Sequence, residues 1–124
     1  MYTIKDVSKI MGVSIHTLRF WAKSGFFPSV KRSKNNVRIF KENDLNWVRI
    51  VKCLKSVNID NKTIKKYIDL CVMGDSTLKE RFEIIKLTKQ KALLDLKVLK
   101  EQIELLECKE NFYRNLILED EEKS

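Results

Sequence analysis

From Leu78 to Tyr113, alternate steps of four and three residues land on Leu78, Phe82, Ile85, Lys89, Ala92, Leu96, Leu99, Ile103, Leu106, Glu110 and Tyr113, and nine of these eleven positions are apolar. That rhythm holds one apolar line along one side of an α-helix, and it predicts a coiled-coil seam. No Gly or Pro interrupts it before the acidic run Glu119-Asp120-Glu121-Glu122. At ~1.5 Å per residue, roughly 40 residues make a rod about 60 Å long. So long a stripe needs a partner helix, most simply one from a second copy of the same chain. The expected homodimer interface is Leu78, Phe82, Ile85, Ala92, Leu96, Leu99, Ile103, Leu106 and Tyr113. Residues 76–118 are assigned to this dimerisation helix, and the acidic tail 119–124 is expected to be without structure.

The rest of the composition agrees with a mainly α chain. Three Gly and one Pro in 124 residues, with 34% charged, are too few turn residues for a sandwich or barrel. The longest stretch without a charged side chain, Ile10 to Leu18, is too short to span a bilayer or form a signal-peptide core. Cys53, Cys71 and Cys108 are scattered and form no C-x-x-C, which argues against a disulfide framework or a Cys-rich zinc site. A soluble, cytoplasmic protein with no metal and no other cofactor is expected, without a membrane partner. A single His leaves little for acid–base catalysis, so no enzyme activity is expected.

The net charge of +8 is unevenly placed. Residues 1–70 hold 15 Lys and Arg against 5 Asp and Glu, a net of +10, whereas residues 71–124 hold 10 against 12, a net of −2. A cationic half attached to a near-neutral half suggests that one of them meets a polyanion.

The cationic half also reads as an organised domain, residues 1–75. Thr3-Ile4-Lys5-Asp6 resembles a capping box, opening a short helix whose apolar positions are Ile4, Val7, Ile10 and Met11. Gly12 ends it, and Ser14 caps a second helix running to about Ser24, with Ile15, Leu18 and Trp21 or Ala22 inward. Two short helices around a Gly-containing turn make a helix-turn-helix. After Gly25 and Phe26-Phe27-Pro28, the stretch Val30 to Phe40 reads as two short strands about an Asn35-Asn36 turn. A hairpin this basic, directly behind a helix-turn-helix, looks like a wing. A third helix is expected from about Glu42 to Val57, with an apolar face of Leu45, Val48, Ile50, Val51, Leu54 and Val57. A fourth, capped by Asp60, should run to about Met73 with Ile64, Ile68, Cys71 and Val72 on one side, and Thr77 to Glu80 reads as a capping box for the long helix. The fold class is therefore mainly α: a winged helix-turn-helix with a small β-hairpin, then a long coiled-coil helix.

DNA is the economical partner for such a chain. Recognition helices enter the major groove by their N-terminal residues, which nominates Ser14, His16, Thr17, Arg19 and Phe20. Arg19 stands out because its planar fork can meet a guanine edge or a phosphate. Wing residues Lys31, Arg32, Lys34, Asn36 and Arg38 suit the DNA backbone, adding affinity and salt dependence with little sequence readout. His16 has alternatives as a metal ligand or a packed structural histidine, but it has no Cys or His near it in sequence.

Several residues carry a family resemblance. Tyr2-Thr3-Ile4, Gly12-Val13-Ser14, Thr17-Leu18-Arg19-Phe20, Gly25-Phe26-Phe27-Pro28, Asn36-Val37-Arg38-Ile39-Phe40 and Asp44-Leu45, in that order and spacing, resemble MerR-type transcriptional regulators over residues 1–75. The chain departs at Phe20-Trp21-Ala22, where the family usually shows paired aromatics and then Glu, and at Val37, where it often has Tyr. The resemblance implies a homodimer that binds a pseudo-palindrome in promoter DNA with an over-long spacer. It also implies that the dimer bends and untwists the duplex so that RNA polymerase can engage. Many relatives carry an effector domain after the dimer helix, and none is expected here. An architectural, excisionase-like DNA-bending protein is the rival reading, disfavoured by the long rod.

The resemblance also suggests a signal. Val51 to Lys55, Tyr67 to Leu70, Gly74, Thr77 and Arg81 are similar to a subgroup associated with aldehyde and thiol stress, in which a cysteine at the position of Cys53 is the proposed reactive residue. Arg49 and Lys52 lie beside it in sequence, and neighbouring cations favour a thiolate. The plainer reading makes Cys53 a small core residue, as for Cys71 on its helix stripe and Cys108 beside the seam.

Overall fold

A computed structural model describes residues 1–32 and 37–124. The elements run α1 (Ile4–Met11), α2 (Ile15–Lys23), β1 (Lys31–Arg32), β2 (Arg38–Ile39), α3 (Glu42–Ser56), α4 (Asn61–Met73), a 3-10 turn (Asp75–Thr77) and α5 (Leu78–Lys123). The contacts divide the chain into two compact units, Met1–Ile85 and Lys86–Ser124.

Local chemistry explains where the first helices start and stop. The Thr3 hydroxyl accepts the Asp6 amide at 3.1 Å and the Asp6 carboxylate accepts the Thr3 amide at 3.0 Å, so two otherwise orphaned donors are satisfied reciprocally. The Thr3 amide and hydroxyl hold the Asp6 carboxyl below its ordinary pKa. Gly12 terminates α1 at φ 65°, a left-handed conformation that costs a glycine nothing. The Ser14 side chain then accepts the Thr17 amide at 3.1 Å and starts α2. With only a glycine-bearing turn between them, the two helices pack as a helix-turn-helix.

The core of the first unit gathers Val7, Met11, Leu18, Trp21, Phe26, Phe27, Phe40, Leu45, Val48, Val51, Leu54, Ile64 and Ile68. Three aromatics bind α2 to the base of the hairpin: Phe27 meets Phe40 edge-on at 5.8 Å and Trp21 at 6.5 Å. Strands β1 and β2 are antiparallel, with Lys31 opposite Ile39 and Arg32 opposite Arg38. A further backbone bridge pairs Tyr2 with Phe40, through amide-to-carbonyl bonds of 2.7 and 2.9 Å. It ties the N-terminus to the root of the wing, a contact between residues too far apart in sequence for local pattern to show. Asp44, buried in the first turn of α3, accepts the Lys41 amide at 2.7 Å and the Ser29 hydroxyl, which fixes the exit of the hairpin.

Four expectations change. Ile10 is exposed instead of inward, because Val7 and Met11 already fill the face of α1 that meets α2 and α3. On α4, Val72 is exposed and Leu70 is buried in its place, while Cys71 is half-buried. Thr77 does not cap α5. Its buried hydroxyl turns back to the Leu70 carbonyl at 2.6 Å and the Gly74 carbonyl at 2.8 Å, and its oxygen accepts Arg81 Nε at 3.1 Å. Finally, the acidic tail is helical to Lys123, since Glu and Lys are good helix formers and nothing in Glu119–Lys123 breaks the ladder.

The Thr77 knot joins the end of α4 to the first turn of α5. Thr77→Val keeps the shape but leaves the buried Leu70 carbonyl without its hydroxyl donor. A loss of about 1–3 kcal/mol is expected, read as a lower urea midpoint with an unchanged slope. An unchanged midpoint would show that the hydroxyl contributes nothing.

In α5 the seam side chains Leu78, Phe82, Ile85, Leu96, Leu99, Ile103, Leu106 and Tyr113 are all exposed on the single chain, and Ala92 is half-buried. Among the described residues no helix is long and apolar enough to cross a membrane.

Candidate nucleic-acid interface

Helix α2 buries Leu18 and Trp21 and turns His16, Arg19, Phe20 and Lys23 outward. Thr17 is half-buried beneath Ser14, whose hydroxyl donates to Thr17 Oγ1 at 2.9 Å. Ser14 and Thr17 are therefore engaged in building the helix start. The free chemistry of the outer face belongs to His16, Arg19, Phe20 and Lys23. Phe20 is an apolar ring half in water, on the face a DNA groove would meet.

The hairpin adds charge to the same neighbourhood. Arg32 and Arg38 face each other across the two strands, and like charges directly opposite destabilise a ladder. Arg38 is held below its ordinary pKa, first by burial and then by the charges of Arg32 and Arg19. An arginine stays protonated at physiological pH, so the shift records first the burial of the Arg38 guanidinium and only then the like charges near it. The Arg38 guanidinium on β2 thus feels the charges of Arg32 on β1 and Arg19 on α2. A shallow depression beside them is lined by Ala22, Lys23, Phe27, Val30, Arg32 and Arg38. Its apolar floor is the Phe27 end of the aromatic stack, which holds the wing root against α2.

The fold therefore brings Arg19, Arg32 and Arg38 together, and Lys31 is exposed on β1 close by. Lys34, Asn36 and the Asn35-Asn36 turn lie outside the described residues. Lys23 does not stand out along the chain as a site residue. Its position at the last turn of α2 fits ordinary dipole compensation, and only the fold sets it beside Arg32 and Arg38.

Cys53 is exposed on α3 and is not a core residue, because Val51 and Leu54 take the inner face. It lines an open groove with Ile10, Met11, Arg49, Lys52 and Ser56. Lys52 donates to the Met11 carbonyl at 2.7 Å, where its ammonium also meets the C-terminal end of the α1 dipole. Arg49 donates to Asn46 at 2.8 Å, one turn away from the thiol. Cys108 is exposed on α5, and among the described residues no group of three His, Cys, Asp or Glu could hold a metal ion.

The family model described as the MerR HTH family regulatory protein matches residues 2–71, more than half of the chain. The chain belongs to the MerR family. A relative in Haemophilus influenzae, an uncharacterised HTH-type transcriptional regulator, is 33% identical to this MerR-family chain over 113 residues, covering 91% of the chain and 84% of the relative. Among solved structures, HiNmlR is described as a MerR family regulator lacking the sensor domain, bound to promoter DNA. It is 32% identical with a TM-score of 0.82, over 92% of this chain and 90% of that one. A MerR family regulator from Listeria monocytogenes superposes with a TM-score of 0.87 at 25% identity, over 99% and 93% of the two chains. The winged helix-turn-helix with a long helix behind it is thus the fold of the MerR family, and the cation cluster lies on its helix-turn-helix and wing.

Proposed function

We propose that this MerR-family chain binds double-stranded promoter DNA as a homodimer and regulates transcription by distorting the duplex for RNA polymerase in the cytoplasm. The observation that carries the reading is that Arg32 and Arg38 lie opposite each other on the hairpin, with the Arg19 charge of α2 also acting on Arg38. Mutual repulsion there is relieved when phosphates approach, and the similarity to a MerR regulator bound to promoter DNA supports the same ligand. Helix α2 enters the major groove, Arg19 and His16 meeting base edges or phosphates and Phe20 supplying apolar contact. Lys31, Arg32 and Arg38 grip the backbone, and Lys34 and Asn36 are assigned the same contact from their residue types alone.

The seam from Leu78 to Tyr113 joins two chains. Two reading heads held at a set spacing favour DNA whose shape brings both half-sites into reach, at a distortion cost of a few kcal/mol. Footprinting on the DNA upstream of the protein's own coding region tests this. A protected two-fold site within a promoter is expected, and Arg19→Ala should weaken it by about 1–3 kcal/mol. A protected site without two-fold symmetry, or an unchanged Arg19→Ala footprint, would overturn the reading.

Cys53 is assigned as the thiol through which electrophiles or oxidants alter this regulator. Its exposure in an open groove supports the role, since attack on a thiol needs access. Cys53→Ser is expected to keep DNA affinity and to lose the transcriptional response to an added aldehyde. Full induction of the Ser variant would remove the thiol from the mechanism.

A further inference from the structure

We infer that Arg81 is a positioning residue, whose guanidinium clasps the joint between α4 and α5 and so sets the half-site spacing that the regulator accepts in DNA. The inference rests on the two-headed DNA reading proposed above and adds to it the residue that fixes the geometry.

The joint lies inside the unit Met1–Ile85. Gly74 ends α4 with φ 92° and ψ −158°, a backbone conformation essentially open to glycine alone. A Cβ on Gly74 would meet no described atom within 4 Å, so glycine is required there by the path of the chain and not by lack of space. The 3-10 turn Asp75–Thr77 then carries the chain into α5. A glycine followed by one short turn is by itself a hinge, because glycine has the widest choice of φ and ψ.

Hydrogen bonds make this hinge stiff. The Gly74 carbonyl accepts the Thr77 amide at 3.1 Å and the Thr77 hydroxyl at 2.8 Å, both from within the turn. The third donor comes from α5. Arg81 Nη2 reaches the same carbonyl at 3.1 Å, while Arg81 Nε donates to Thr77 Oγ1 at 3.1 Å. One planar fork thus holds two points of the turn from the helix that follows it, and a planar group bonded at two points resists rotation about either. Arg81 is half-buried and Thr77 is buried, so water competes poorly for these bonds.

Stiffness matters here because α5 is long. An error of about 10° at the start of a helix, carried along ~40 residues, displaces its far end by roughly 10 Å, the rise of about three base pairs. Two reading heads joined through freely hinged helices would accept many half-site spacings. Clasped helices accept one.

The test titrates the full chain against the footprinted operator, against versions with two base pairs inserted or removed between the half-sites, and against a lone half-site. The wild type should lose roughly 10²-fold in affinity on either change of spacing, because both heads can no longer engage together. Arg81→Ala should lose less than about tenfold, and should bind the lone half-site as the wild type does. Arg81→Lys keeps the charge and the stem but has no fork to span two acceptors, so it should also flatten the spacing dependence. It carries the test if circular dichroism shows the alanine variant unfolded. A folded Arg81→Ala or Arg81→Lys protein that keeps the wild-type spacing ratio would overturn the inference. So would an Arg81→Lys protein that loses affinity for the lone half-site, since the residue would then hold the reading head together and not the joint. Failure of the underlying reading looks different: a wild type that binds the lone half-site as tightly as the pair removes the two-headed protein, and this inference with it.

Discussion

Leu99→Glu is expected to leave the N-terminal unit folded, convert the dimer to monomers, and lower affinity for a two-fold DNA site by roughly 10²–10⁴-fold. Leu99 lies near the middle of the seam and is 53% exposed on the single chain, so its burial is assigned entirely to the second copy. A carboxylate there must leave water beside apolar side chains with no cation matched to it, and the ion is too costly to bury unpaired. Separation of the chains removes the linkage between two reading heads, and the second half-site is no longer bound at high effective concentration. Two readouts check this together. Sedimentation should report one chain, and the log–log slope of affinity against salt should fall by about half as half the phosphate contacts are lost. A dimeric Leu99→Glu protein would exclude Leu99 from the interface. A monomer with undiminished affinity would show that two-fold binding contributes nothing.

Phe40→Ala carries the largest expected loss of stability, about 3–5 kcal/mol. Its ring is fully buried and stacked edge-on with Phe27, which in turn meets Trp21 of α2. Alanine leaves a cavity where the wing root, α2 and the bridging residue Tyr2 converge, and such a space is too constrained to collapse fully. For a unit of this size the melting temperature should fall by more than about 12 °C. Phe40→Leu, which fills most of the volume, should recover most of that. The Ala variant should also lose DNA affinity under conditions where it remains folded, because the wing root that sets Arg38 against Arg19 and Arg32 is loosened. A melting shift of only a few degrees would show that the ring is not the anchor.

Several features are legible along the chain because their causes are local. The capping pair Thr3 and Asp6, the left-handed stop at Gly12 and the Ser14 cap each involve residues within four positions of one another, so the helix-turn-helix can be read directly. The long helix is legible because the seam repeats many times and Gly and Pro are absent from it. Thr77 misleads for an instructive reason. Its spacing to Glu80 fits a capping box, but a hydroxyl that can reach the buried Leu70 carbonyl satisfies a group that water cannot. Ile10 and Val72 fit the helical period of their elements, yet which part of a stripe is covered depends on how far the neighbouring helix extends. Cys53 is one residue from Leu54 and two from Val51, about 100° and 160° round the helix from them, so whether it is covered depends on what packs beside α3.

Neighbours along the chain dictate the helices and their ends, the basic N-terminal half, and an apolar line on α5 that calls for a second helix. Which cations act together is set by packing alone. Arg19, Arg32 and Arg38 sit on separate elements, and their crowding depends on the Phe40–Phe27–Trp21 stack and on the Tyr2–Phe40 bridge. Hydrogen bonds within a turn are encoded by spacing, whereas electrostatic fields and buried contacts depend on distances through space that no spacing along the chain records.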